Sequence, residues 1–408
     1  MRIRAAVLVA ALASMAGAQE PSVTAFTGAT LIDGTGRASI ANATMLVRDG
    51  RVVAVGAAAT VTIPAGAQRV ALAGKFVMPG LVNAHGHVSN LSDLATYAAY
   101  GVTSVFSLGS EPADVIAARA EQSRPALGRG RVWVAGPVLN PRNAAEARAQ
   151  VDGVAAQKTD IVKIRVDDNL GTTPKMVPEV YRAVIDQAHM DGMRAAVHLF
   201  YLSDAKAVLA AGADFVAHSI RDVEVDAEVI SALKARGVCV SPTLMREVST
   251  FVYESTPAWF TDPLFLSHAN LQWVSTLKES VRQQAVRESA SAQRYKVALE
   301  MASKNLKKLS DAGVMIAMGT DTGPMGRFQG YFELMELELM VKAGLTSAQA
   351  IAAATRDAAK CMKIDGQVGT LEAGKWADFV VLDADPLANI SNVRTIAAVW
   401  VGGAALAR

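Results

Sequence analysis

The chain has 408 residues, about half of them hydrophobic, and its 40 Lys and Arg nearly balance 38 Asp and Glu. That length can bury a large core without staples, and the mixed charge gives no electrostatic case for nucleic acid or an anionic membrane as partner. With only two cysteines, a cysteine-built metal site is excluded by count.

The opening "MRIRAAVLVAALASMAGAQE" carries Arg2 and Arg4, an apolar run from Ala5 to about Ala13, then Ala16 and Ala18 in an A-x-A arrangement. This is the layout of a secretory signal peptide over 1–18, and the run is too short to span a bilayer. Its removal takes away two Arg and no acid, so the formal charge of +2 falls to zero. The mature chain is expected to be exported, periplasmic or extracellular, with no membrane association. Cys239 lies in the strand-like "GVCVSPTL" and Cys361 follows the helical "AIAAATRDAAK". Export permits a disulfide, but both read as buried, unpaired thiols.

Residues 19–75 read as short strands: "AFTGATLIDGTG", "ATMLVRDGRVVAVG" and "QRVALAGKFVMPG", with Asp49-Gly50 as a hairpin signal. The rhythm then changes. Five times an Ala-rich helical stretch ends in a glycine (Gly101, Gly192, Gly212, Gly237, Gly313) and an apolar strand follows. Each glycine sits where a helix end wants a left-handed residue. Repeated helix–Gly–strand units build a parallel sheet. Adding "FVMPGLVNAH", "RVWVAGPV" and "DIVKIRVDD" gives eight strands, which suits an α/β fold of the (β/α)₈ TIM-barrel kind over 76–364. An open doubly wound sheet is disfavoured because its G-x-G-x-x-G fingerprint is absent. Residues 365–408 return to strand and turn, so both termini are expected to form one small β-sandwich with the barrel inserted between them. An insertion, 245–312, separates the seventh and eighth strands and carries Phe251, Tyr253, Trp259, Phe260, Phe265 and Trp273. Those aromatics suit either a substrate wall or the insertion's own core.

Polar residues close the apolar strands: His85 and His87 in "LVNAHGH", Lys163 in "DIVK", His198 in "MRAAVH", His218 in "DFVAH" and Asp321 in "MIAMGTD". C-terminal strand ends share one mouth of a barrel, where active sites are built. His85 and His87 alternate along a strand and so point the same way, as joint ligation of one ion requires. Lys163 is the odd member, since an ammonium repels a cation. It becomes useful if its amine takes up CO₂ as a carbamate; otherwise it pairs with Asp160 or Asp167. His189 and His268 lie in helical contexts and read as structural or exposed.

"GKFVMPGLVNAHGHV", the strand-closing Lys163, His198 and His218, "MGTDTG" and "GTLEAGKWADFVVLDADPL" together resemble the amidohydrolase superfamily. The likeness is to its imidazolonepropionase-like branch, with metal-dependent Xaa-Pro dipeptidases and ochratoxin amidases. The resemblance covers nearly the whole mature chain. It implies two divalent ions, most often Zn²⁺, with Mn²⁺ or Co²⁺ as alternatives. His85, His87 and Asp321 would hold one, His198 and His218 the other, and N6-carboxylated Lys163 would bridge them together with a hydroxide. It implies hydrolysis of a small amide or peptide, with Asp321 as general base then acid, and homo-oligomeric assembly. Substrate residues do not transfer; Tyr201, Arg221, Arg246 and Tyr253 are candidates by position, and Arg221 could equally pair with Asp222. The competing functions are a mononuclear cyclic-amide hydrolase or deaminase, and a non-catalytic binding protein that kept the barrel.

Overall fold

Apolar alternation between residues 24 and 79 builds five strands, β1 (Thr24–Leu31), β2 (Ile40–Arg48), β3 (Arg51–Ala57), β4 (Gln68–Ala71) and β5 (Phe76–Pro79). The structure is a computed structural model and describes residues 23–407, so the expected signal peptide lies outside the described residues. β2 and β3 form the expected hairpin: Asp49 (φ +51°) and Gly50 (φ +74°) both take the left-handed conformation that matches strand twist. The C-terminal strands β14 (Phe379–Leu382), β15 (Ile396–Val401) and β16 (Ala404–Ala405) join the same sheet, with β14 antiparallel to β5. The sheet curls until Arg51 of β3 bridges Trp376, ahead of β14. Phe26, Phe379 and Trp400 stack inside it at ring distances of 4.7–5.6 Å.

Between the two terminal parts, eight further strands run parallel. β6 (Leu81–Gly86), β7 (Val102–Ser107) and β8 (Arg131–Val134) form one set. β9 (Val138–Leu139), β10 (Val162–Arg165), β11 (Ala195–His198), β12 (Phe215–Ala217) and β13 (Cys239–Ser241) form the other. The run "RVWVAGPV" is thus two strands, broken where Gly136 turns left-handed (φ +75°) and Pro137 has no N–H to give. Asp160 spans the junction, its N–H donating to the Val134 carbonyl and its carboxylate accepting from the Val134 N–H, both at 2.8 Å.

The expected eighth strand is irregular. Its backbone still bonds both neighbours: Ala317 donates to Val240 of β13, and Ala84 of β6 donates to Met318. Gly319 and Asp321 bend it. A Cβ on Gly319 would stand 2.3 Å from Ser241 Oγ and 2.7 Å from His85 Cβ, so only glycine lets this segment press against the site. The five helix-ending glycines all have the expected positive φ, between +62° and +109°.

The cysteine reading is corrected. Cys239 and Cys361 form a disulfide with their Cα atoms 6.0 Å apart. Cys239 opens β13, and the helix Arg356–Met362 packs against that end of the strands through Ala358, Ala359 and Met362. The sequence separation of 122 hides this proximity. No helix among the described residues is long and apolar enough to cross a membrane.

Candidate metal centre

The six strand-closing residues meet. Nε2 of His87 lies 2.8 Å from Asp321 Oδ1, and Nε2 of His85 lies 3.5 Å from the same oxygen. Lys163 Nζ is 3.3 Å from His85 Nε2. The ring of His218 sits 4.7 Å from that of His85 and 4.1 Å from that of His198. The ligand atoms of His85, His87 and Asp321 all fall within 4.8 Å of one another, a spacing one ion can span.

The surroundings fix ring orientation. His87 Nδ1 faces the Gly109 carbonyl at 3.3 Å, a second-sphere acceptor that would leave Nε2 free for an ion once one is bound. His218 Nδ1 meets Thr243 Oγ1 at 2.7 Å, and its buried Nε2 has no hydrogen-bond partner. Thr243 holds a left-handed backbone (φ +49°), costly for a β-branched residue, and Asp321 does the same (φ +58°). Strain of this kind collects where geometry is held for function. Gly86 is fixed for space: a Cβ there would meet Tyr97 Oη at 2.7 Å and Asn83 Nδ2 at 2.8 Å.

The electrostatics favour neutral imidazoles and a charged carboxylate. Burial holds the His85 and His218 rings well below their ordinary value and pushes His198 down to about 3. Burial works against ionised Asp321, but Arg327 and His87 outweigh it and hold the carboxyl well below the usual range. Burial lowers Lys163 to about 7. Its suggested partners are engaged elsewhere: Asp160 pairs with Arg119 and Asp167 with Arg165, each at 2.8 Å. A buried, unpaired amine that loses its proton near neutrality is chemically able to take up CO₂. Five neutral or anionic donors plus such a lysine suit divalent ions of the zinc class.

Asp167, expected only as a possible partner of Lys163, meets a different member of the centre. It is 3.0 Å from His198 Nε2. A cleft of about 620 Å³ opens beside it, walled by Val138, Met176 and Val177, with Arg165 and Lys175.

Two buried glutamates on the helix Tyr331–Lys342 tie the centre together. Glu333 Oε1 accepts from Asn83, Thr320 and Thr322 at 2.6 Å each, joining β6 to the eighth segment, and Oε2 accepts from Gly330 N–H. Glu336 accepts from the N–H groups of Leu244 and Met245, just past Thr243. Burial pushes them up to about 7 and about 8. Glu333→Ala removes the acceptor of four buried donors and is expected to cost on the order of 3 kcal/mol or more, since each orphaned group costs about 1–3 kcal/mol before relaxation. Glu333→Gln keeps an acceptor and should cost clearly less. Urea unfolding of both variants checks this; equal midpoints for the two would contradict it.

The substrate candidates scatter. Tyr201 donates to Asp168 Oδ1 and lies under Lys175. Tyr253 Oη donates to the Gly326 carbonyl within an aromatic cluster with Trp259 and Phe260. Arg221 is fully buried, bound to the carbonyls of Leu199 and Ser219 and paired with Glu247 at 2.9 Å, not with Asp222. Asp222 instead accepts from Leu202 N–H. Arg246 also pairs with Glu247 and stacks on Tyr295. Most insertion aromatics build a core with Phe328, Tyr331 and Phe332. His189 pairs with Asp214.

Residues 76–406 match the Amidohydrolase family. The chain belongs to that family. Short segments are similar to curated imidazolonepropionases: 36% identity over 78 residues to that of Rubrobacter xylanophilus (19% of each chain), and 38% over 85 residues to that of Agrobacterium fabrum (20% of this chain, 19% of the relative). The match thus spans about a fifth of those relatives' length. In fold, this amidohydrolase is similar to a Xaa-Pro dipeptidase with bound methionine in the active site (TM-score 0.77, 19% identity, covering 95% of this chain and 100% of that one). It is also similar to A. niger ochratoxinase (TM-score 0.71, 19% identity, 95% and 96% covered). These likenesses support the barrel-plus-sandwich fold.

Proposed function

We propose that this amidohydrolase is an exported hydrolase with a binuclear metal centre that cleaves an amide bond in a dipeptide or N-acyl amino acid. One observation carries the reading: the buried Lys163 amine lies 3.3 Å from His85 Nε2 and close enough to His198 and His218 for its charge to act on both rings, so a carbamate there could offer both sets of donors an anion. His85, His87 and Asp321 would hold one ion; His198 and His218 would hold the other. Bound there, two divalent cations lower the pKa of a shared water and polarise the substrate carbonyl. The protein's own work is positional. Thr243 and the Gly109 carbonyl aim two imidazoles, and Glu333 keeps β6 and the eighth segment in register. Asp321 sits where it can accept a proton from the attacking water and return it to the leaving nitrogen. The Cys239–Cys361 disulfide fits an oxidising compartment.

A second reading, a one-metal cyclic-amide hydrolase or deaminase, is favoured by the close His85–His87–Asp321 group and the imidazolonepropionase segments. A library of dipeptides, N-acyl amino acids and lactams, assayed on zinc- and manganese-loaded protein, separates the two. Cleavage of linear amides is expected. Turnover confined to lactams would remove the first reading.

A further inference from the structure

Asp321 divides its two oxygens. Oδ1 faces His87 and His85, whereas Oδ2 is held by Arg327 Nη1 at 2.5 Å and lies 3.9 Å from Arg246 Nε. Two guanidinium groups therefore converge on one carboxylate oxygen at the edge of the centre. Arg246 Nε is buried and has no hydrogen-bond partner, an orphaned charged donor that a second anionic oxygen would satisfy.

The two arginines differ in access. The Arg246 side chain is 8% exposed and anchored by Glu247 and Tyr295. The Arg327 side chain is 20% exposed and is tied, besides Asp321, only to Ser249 Oγ at 3.2 Å. Its backbone is firm. Arg327 ends a turn whose N–H returns to Pro324, and Tyr253 Oη clamps the Gly326 carbonyl next to it. The turn is hydrogen-bonded on both sides of Gly326, and the side chain it carries is partly exposed at the edge of the centre.

We infer that Arg327, backed by Arg246, receives a carboxylate of the substrate next to the scissile amide, exchanging Asp321 Oδ2 for the substrate's anion. This rests on the amide-hydrolase reading and adds to it the residue that recognises the free carboxylate of the leaving amino acid. Arg221, with a side chain fully buried and held by the Leu199 and Ser219 carbonyls and by Glu247, takes no part. Guanidinium offers a planar fork that matches a carboxylate, and two such groups favour it over a neutral amide.

The test uses full-length, metal-loaded protein with N-acetyl derivatives of glycine, leucine, phenylalanine and arginine, each as free acid and as C-terminal amide. Wild type should prefer the acids. Arg327→Met should raise KM for the acids about 10- to 100-fold relative to the amides, the usual value of a hydrogen-bonded charge, beyond any change in kcat or metal content that both series share because Asp321 loses its partner. Arg327→Lys should recover part of the preference, and it covers the case of a Met variant that does not fold. Equal use of acids and amides by wild type overturns the inference while leaving the amide-hydrolase reading intact. So does a fall in kcat on both series at constant KM. If no member is cleaved, the amide-hydrolase reading fails, and calorimetric binding of the same acids and amides decides the inference. Acid-selective binding lost in Arg327→Met upholds it; equal binding of acids and amides overturns it.

Discussion

Asp321→Asn is expected to lower kcat by roughly 10²- to 10⁴-fold, the range for loss of a positioned acid–base group. The amide matches the carboxylate in size, so packing survives. What goes is charge. Oδ1 lies within 3.5 Å of both His85 and His87 and is the one anionic donor in that group, and Oδ2 neutralises Arg327. Asparagine can neither offer a cation an anionic oxygen nor hold a proton between two steps. Metal affinity should fall along with kcat. Steady-state kinetics with elemental analysis of the same preparation checks both; a loss of less than tenfold would show that Asp321 is not the proton carrier.

Cys239→Ser and Cys361→Ser, singly or together, are each expected to destabilise the fold by about 2–5 kcal/mol, because the bridge closes a long loop and removes chain entropy from the unfolded state. The loop spans 122 residues and includes the whole insertion. The disulfide lies where β13 begins, whereas the ligand candidates stand where strands end, so activity below the melting range should hold. Chemical unfolding with and without reductant measures this. An unchanged midpoint would remove the disulfide from the account.

The repeating helix–Gly–strand unit made the barrel legible, because helix ends need left-handed residues and glycine supplies them cheaply. Strand-closing polar residues made His85, His87, Lys163, His198, His218 and Asp321 legible, because a parallel barrel gathers those ends by construction. What escaped has one physical character: contact between distant segments. Arg327 follows Asp321 on a tight turn and looks like loop polarity until Asp321 Oδ2 is seen beside it. Glu333 and Glu336 lie in the apolar "YFELMELELM". Two acids on a buried helix were a signal that the chain has to satisfy them inside, but only the fold says with what. Asp167, two residues past the end of β10, looked like a partner for Lys163 and instead pairs with Arg165 and His198. The cysteine pairing was hidden for the same reason. Tyr253 was picked out by position as a substrate candidate, and what only the fold shows is that its hydroxyl donates to the Gly326 carbonyl, next to Arg327.

The most direct test of the proposed binuclear centre is metal stoichiometry. Wild type and Lys163→Ala, loaded with zinc in bicarbonate buffer and desalted, would be compared by mass spectrometry of metal content and by amide hydrolysis. Two ions per wild-type chain, falling to one or none in Lys163→Ala with loss of turnover, is the predicted result. One ion in both proteins, with turnover unaffected, would contradict it.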